Sequence, residues 1–209
     1  MTMLPRLYWI ADLDAAMTYG VDLLATADRY VAAGGRLLSL RIPPQKWRQW
    51  RSQGATLASI CARSSATLLV HRHLELALEI GAHGLHLPST SDPRAIADAR
   101  QQLGDQALLF RSCHHGADLE LAQSCGVDAV TLSPFFPSLS KPGHHPRFGA
   151  EQLQELCRRT SLPVYALGGI TPENGAQALA MGAFGLSTIG AITGADDISS
   201  VTSQFRALL

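Results

Sequence analysis

Two glycine-bearing segments offer the clearest chemistry. "ALGGITPEN", residues 166–174, sets Gly168 and Gly169 just before Thr171 and Pro172, and "STIGAI", residues 187–192, carries Gly190. Glycine lets backbone N–H groups approach a ligand closely, and a helix N-terminus favours an anion. Thr171 reads as the helix cap and Pro172 as the first helical residue. The two segments together predict a phosphate site. A third segment, "LSPFFPSLSKPGHHPRFG", residues 132–149, opens like a strand end and becomes rich in proline, serine and basic side chains, among them Lys141, His144, His145 and Arg147. It reads either as a solvated surface loop or as a lid that recognises an anion.

A second chemistry is proton transfer. It needs a group that titrates near neutrality within hydrogen-bond reach of the reacting atom, and histidine is the natural choice. His114 is the first candidate: with Ser112 it shares one face of a strand, by period-two alternation, if the strand runs that far. His71 reads equally as catalytic or structural. His86 alternates with apolar neighbours in "GLHL" and reads as a hydrogen-bonded core histidine, while His73 and His83 read as surface residues. Arg41 can fork onto a carboxylate or a phosphate oxygen, or pair with a carboxylate of the fold itself. Cys113, facing away from Ser112, reads as packing.

The elements that must position these groups alternate. Short apolar runs ("RLYWIA", "RLLSLR", "ATLLVH", "HGLHL", "ALLFRS", "DAVTL", "PVYALGG", "GLSTIG") are rich in Leu, Val and Ile, as buried parallel strands are. Between them, segments such as "VDLLATADRYVAAG", "DPRAIADARQQLG" and "GAEQLQELCRRT" repeat apolar residues at helical spacing. Gly81, Gly126 and Gly182 each stand between such a helix and the next strand, where a left-handed residue closes a helix. Alternating strands and helices over this length predict an α/β protein, a (β/α)8 TIM barrel, as one domain over residues 1–209. The rival, an open doubly wound sheet, lacks its Gly-x-Gly-x-x-Gly signal. In a barrel, chemistry sits at the C-terminal strand ends. That rule collects Arg41, His71, Arg72, His86, Ser112, His114, Ser133, Gly168, Gly169, Ile189 and Gly190 at one end.

Composition narrows the partners. The chain has 209 residues, 46% hydrophobic and 16% charged, with a formal net charge of zero. That is a globular composition, without the basic field that nucleic acid or an anionic membrane surface would select, so no nucleic acid and no membrane partner is predicted. Cys61, Cys113, Cys125 and Cys157 form no CxxC pair and read as free thiols of a reducing compartment, hence a cytoplasmic location. Trp47 and Trp50 in "KWRQW" fit helix packing or a subunit contact, which leaves room for a homodimer.

"SPFFPSLSKP", "PVYALGGITPEN" and "GAFGLSTIGAI", in this order and spacing, resemble the thiamin-phosphate synthase/TenI superfamily, and "LLVHRHLELALEIGAHGLHLPS" resembles its third and fourth strands. The resemblance implies a (β/α)8 barrel of thiamin biosynthesis and a small phosphorylated ligand, a thiazole phosphate or thiamin phosphate. Synthase members join a pyrimidine pyrophosphate to a thiazole phosphate with Mg2+; TenI members include thiazole tautomerases. Carried over by position, Gly168, Gly169, Ile189 and Gly190 hold the thiazole phosphate, and Ser138, Ser140 and Lys141 stand where synthases hold pyrophosphate. The departures are specific. Synthases read Gln-x-Arg-x-Lys at strand two, where this chain keeps only Arg41. They read Asn-Asp after strand three, where this chain has His71-Arg72. They read Gly-Gln-Glu-Asp after strand four, where this chain has Pro88-Ser89-Thr90-Ser91 and Asp92 one place later. A hard dication wants carboxylate oxygen, and an arginine cannot supply it. Arg72 and Lys141 would then carry the charge in the metal's place. "HLPSTS" and "FRSCH" resemble TenI members instead. The resulting expectation is a TenI-like tautomerase without a cofactor, with His114 as acid/base and Arg41 orienting the substrate. A divergent synthase, with Mg2+, and a non-catalytic phosphate-ligand sensor are its alternatives.

Overall fold

A computed structural model describes residues 4–137 and 149–209. Its sheet is a closed barrel of eight parallel strands in chain order. The strands are β1 (Leu7–Asp12), β2 (Leu37–Arg41), β3 (Thr67–His71), β4 (Gly84–Leu87), β5 (Leu108–Cys113), β6 (Ala129–Leu132), β7 (Val164–Ala166) and β8 (Gly185–Thr188). β8 pairs with β1 through Leu7–Leu186 and Trp9–Thr188, which closes the ring. The helices are α1 (Leu13–Tyr19), α2 (Leu23–Ala32), α3 (Arg51–Arg63), α4 (Leu74–Glu79), α5 (Pro93–Leu103), α6 (Gly116–Ser124), α7 (Ala150–Arg158), α8 (Pro172–Ala180), α9 (Gly190–Thr193) and α10 (Ile198–Ala207). No helix among the described residues is long and apolar enough to cross a membrane.

Alternation splits the core in two. Side chains on one face of the strands, with the helices' apolar stripes, form the outer shell, where Leu38, Leu40, Leu68, Val70, Val130 and Leu132 are fully buried. Burying each such side chain stabilises the fold by roughly 1.5–3 kcal/mol. The other face fills the barrel interior with Tyr8, Ile10, Leu37, Leu69, Phe110, Ala129 and Tyr165. Tyr8 meets Phe110 and Tyr165 edge-on, with ring centroids 5.5 and 5.7 Å apart. One step further along the strands, the same alternation sends Arg41, His71, His86, Ser112, Thr131 and Ser187 inward or to the mouth. An apolar bottom layer thus supports a polar upper layer.

Gly81, Gly126 and Gly182 have φ of +63°, +67° and +93°, the left-handed helix ends that their positions predict. Helices α1 and α9 lie outside the predicted pattern. α1 forms because Asp12 caps it, its carboxylate accepting from the Ala15 N–H at 2.7 Å, and it stops at Gly20. Trp47 and Trp50 fall in a 3-10 turn and pack partly buried against the outer shell.

Candidate functional site

The ends of β7 and β8 form a cavity of about 430 Å³ lined by Gly168, Gly169, Ile189 and Gly190, the residues predicted to hold phosphate. Gly168 and Gly169 have φ of +92° and +64°. A Cβ on Gly169 would sit 2.3 Å from the Pro137 carbonyl oxygen, and one on Gly168 3.0 Å from the Pro134 Cα. Only glycine fits both conformation and space. Asn174 braces the turn: its amide donates to the Gly169 carbonyl at 2.7 Å and its oxygen accepts from the Thr171 N–H at 2.9 Å. Thr171 and Pro172 start α8 as the sequence predicts. The N–H groups of Gly169, Ile170 and Gly190 have no backbone acceptor among the described residues. No described residue lining the cavity carries a charge. An anion bound here meets backbone dipoles and hydroxyls.

The ends of β1 to β4 are built differently. Arg41 donates to Asp12 at 2.8 Å; the carboxylate's side chain is 9% exposed and the guanidinium's 41%. Of the two predicted fates for Arg41, pairing with a carboxylate of the fold is the one observed, and the side chain still reaches solvent at the mouth. Asp12 escaped the sequence reading, although it stands at a strand end. Its two bonds, to Arg41 and to the α1 N-terminus, make it the joint between β2 and α1. Arg72 is exposed and holds a φ of +74°, uncommon for a side chain with a Cβ, while its N–H donates to the His86 carbonyl at 2.9 Å.

His71 and His86 lie beside this pair, their ring centroids 4.6 Å apart. His86 is fully buried and shares hydrogen bonds of 2.6 Å with the Tyr8 hydroxyl and 3.0 Å with the Ser112 hydroxyl. Burial, then the Arg41 charge, pushes its pKa down to about 3. It is the core histidine that the "GLHL" alternation predicts. Burial, then His86 and Arg41, likewise holds His71 well below the ordinary histidine range. A histidine shifted in this direction favours its neutral form.

His114 lies just past β5, so the strand does not run far enough to aim it by alternation. Its Nδ1 lies 3.0 Å from the Ser133 carbonyl oxygen and 3.1 Å from the Ser133 hydroxyl. The Nδ1–H tautomer satisfies that carbonyl and leaves Nε2 as the acceptor. The turn is tied by Asp118, whose carboxylate accepts from the His114 and His115 N–H groups at 2.8 and 3.1 Å. Arg111 was not singled out in the sequence. It is 1% exposed, donates to the Ser89 carbonyl at 2.6 Å and pairs with Asp118 at 3.4 Å, so it ties the loop after β4 to the turn after β5. His73, predicted at the surface, is half-buried: its Nε2 meets the Ile42 carbonyl at 3.1 Å and its ring stacks on Trp47. Cys113 is buried, and burial pushes its thiol up to about 12, in keeping with packing.

The predicted residues therefore form three groups. Gly168, Gly169, Ile189 and Gly190 share the cavity. Arg41, His71 and Arg72 share the mouth of β2 and β3, and His114 sits with Ser133. None of Arg41, His71, Arg72 and His114 lines the cavity. Ser138, Ser140 and Lys141 lie outside the described residues. Asp92 caps α5, its Oδ1 accepting from the Ala95 N–H at 2.8 Å.

A closed (β/α)8 barrel with a glycine-built cavity at the ends of strands seven and eight belongs to the TIM-barrel class, whose members often bind phosphate at that end. Within that class, the chain belongs to the thiamine monophosphate synthase family, whose profile matches residues 7–192. A thiamine-phosphate synthase of Laribacter hongkongensis is 33% identical over 197 residues, covering 94% of this chain and 92% of that one. A putative thiamine-phosphate synthase of Geobacter sulfurreducens is 34% identical over 203 residues, covering 97% and 93%. The solved thiamine phosphate pyrophosphorylase of Pyrococcus furiosus superposes with a TM-score of 0.81 at 22% identity, covering 97% of this chain and 94% of that one, a likeness of fold. These relatives carry synthase names, whereas the motifs after strands four and five favoured a tautomerase.

Proposed function

We propose that this chain is a divergent thiamin-phosphate synthase, a transferase that joins a pyrimidine pyrophosphate to a thiazole phosphate. The observation that supports this reading is the separation of two places suited to anions: a glycine cavity at β7 and β8 with no charge among its described lining residues, and exposed guanidiniums of Arg41 and Arg72 at β2 and β3. One substrate with a phosphate and another with a pyrophosphate require two such places. The reaction breaks the carbon–oxygen bond to pyrophosphate, whose oxygen keeps the electron pair. The thiazole nitrogen supplies the pair for the new carbon–nitrogen bond. Negative charge therefore grows on the leaving oxygen, where a fixed cation stabilises it.

Synthases use Mg2+, and the residues here do not fit it. His71 and Arg72 occupy the end of β3, Asp92 caps a helix and Asp12 is engaged by Arg41. No group of three His, Cys, Asp or Glu among the described residues is arranged to hold a metal, and residues 138–148 contain no Asp or Glu. No step is routed through a metal. Arg41 and Arg72 supply the positive charge instead. Asp12 holds Arg41 in place, and the positive φ of Arg72 turns the chain at the strand end where its side chain is exposed.

A second reading, thiazole tautomerisation, is favoured by one observation: His114 has Nδ1 held by Ser133 and Nε2 left to accept a proton. The condensation assay separates the two. Purified protein with pyrimidine pyrophosphate and thiazole phosphate, with Mg2+ or with EDTA, is scored for thiamin phosphate. Product in both arms supports the proposal; product only with Mg2+ contradicts the cation substitution. No product, together with isomerisation of a carboxythiazole phosphate that His114→Ala abolishes, supports the tautomerase.

A further inference from the structure

Tyr19 is the last residue of α1, and its side chain is 48% exposed. It is seated on the segment that begins with α9. A Cβ on Gly190 would lie 2.9 Å from the Tyr19 hydroxyl oxygen, and one on Gly194 would lie 2.5 Å from its ring. The ring needs glycine at both positions. The same residue lines the cavity at β7 and β8. A tyrosine exposed at this level, with a fitted seat, has one face on the protein and the other on the cavity.

The hydrogen bonds of the cavity show what remains available. Asn174 spends its side chain on Gly169 and Thr171. Thr188 donates to the Ile170 carbonyl at 3.4 Å, and the Thr171 hydroxyl lies towards the Glu173 carboxyl, which it holds below the ordinary range. Two hydroxyls are left. The Tyr19 hydroxyl has no hydrogen-bond partner among the described residues. Ser187, 0% exposed on β8 and also lining the cavity, has a hydroxyl without a partner among the described residues. A buried polar group without a partner calls for one from a ligand.

We propose that Tyr19 is a specificity-determining residue of this site, whose hydroxyl donates to an oxygen of the ligand's phosphate. The inference rests on the reading above, that a phosphate ester occupies the cavity. With no charged lining group among the described residues, neutral donors contribute to discrimination between a phosphate ester and the corresponding alcohol, and an O–H to an anionic oxygen is among the strong ones. A site built to hydrogen-bond a group discriminates against an analogue that lacks it.

The test is calorimetric titration of wild type and Tyr19→Phe with thiazole phosphate and with its dephosphorylated alcohol. Phenylalanine keeps the ring and its seat on Gly190 and Gly194, and an unchanged Tm confirms that the fold is intact. Tyr19→Phe is expected to weaken the phosphate ester about tenfold, the effect of one hydrogen bond to a charged group, and to leave the alcohol within about twofold. Equal weakening of both ligands, or of neither, overturns the role of the hydroxyl while leaving the phosphate cavity in place. A wild-type protein that does not prefer the ester to the alcohol overturns the phosphate cavity itself, and the role of Tyr19 with it.

Discussion

The two halves of the barrel mouth handle charge in opposite ways. At β7 and β8 the described lining of the cavity is neutral, its turn set by Gly168 and Gly169 and braced by Asn174. At β1 to β4 the groups are side chains with charge or the potential for it: Arg41 on Asp12, Arg72 in a left-handed conformation, and His71 beside His86. A backbone site has one geometry and tolerates almost no substitution at its glycines. A side-chain site can change its chemistry one residue at a time while the strands stay put. This contrast parallels the sequence resemblance, in which residues 163–174 are similar to the synthase pattern and His71-Arg72 and Pro88-Ser89-Thr90-Ser91 depart from it.

Four substitutions or conditions sharpen the contrast, from the largest effect down. Gly169→Ala places a Cβ against the Pro137 carbonyl at a φ of +64°. It is expected to reduce thiazole phosphate affinity by about a hundredfold and to cost about 2 kcal/mol of stability, read by titration and by denaturant unfolding. Arg41→Met removes the guanidinium that Asp12 positions. It is expected to lower turnover by about a hundredfold, as loss of a preorganised charge does, with thiazole phosphate affinity unchanged.

Acid acts through the interior of the charged half. His86 and His71 are held neutral in the fold, with pKa lowered from the ordinary value near 6.5. The unfolded chain takes up protons that the native state refuses. Stability is therefore full above the unfolded pKa and falls as pH drops below it, towards the folded value of about 3 for His86. The slope is roughly 1.4 kcal/mol per pH unit for each such histidine, read from unfolding midpoints between pH 7 and pH 4. His86→Gln flattens this limb, and an unchanged slope would remove histidine burial as its cause. The smallest effect is Asp12→Asn, which keeps a helix cap but discharges the partner of Arg41. It is expected to cost about 1 kcal/mol and to raise KM for the pyrophosphate substrate several-fold, with KM for thiazole phosphate unchanged.

What could be read from the sequence followed the same division. The eight strands and the glycine turn that lines the cavity were legible because periodicity, and a Gly-Gly turn ahead of a Thr-Pro helix start, are local signals. His86 was legible as a core histidine from alternation alone. The partners were not. Arg41 and Asp12 are 29 residues apart, Arg111 reaches 22 residues back to Ser89, and only the parallel pairing of β1 with β2 and of β4 with β5 brings each pair together. Tyr19 escaped for a further reason: α1 exists because Asp12 caps it, and the seat of the ring lies on Gly190 and Gly194, at the far end of the chain. His114 was named correctly as a strand-end residue but aimed by an alternation that stops at Cys113.

The most direct test of this division is a crossed binding measurement. Thiazole phosphate and inorganic pyrophosphate are titrated separately into wild type, Gly169→Ala and Arg41→Met. Two separate anion sites predict that Gly169→Ala loses thiazole phosphate and keeps pyrophosphate, and that Arg41→Met does the reverse. If either variant lost both ligands, or if pyrophosphate followed the glycine rather than the arginine, the mouth would hold one anion site and the synthase reading would fail.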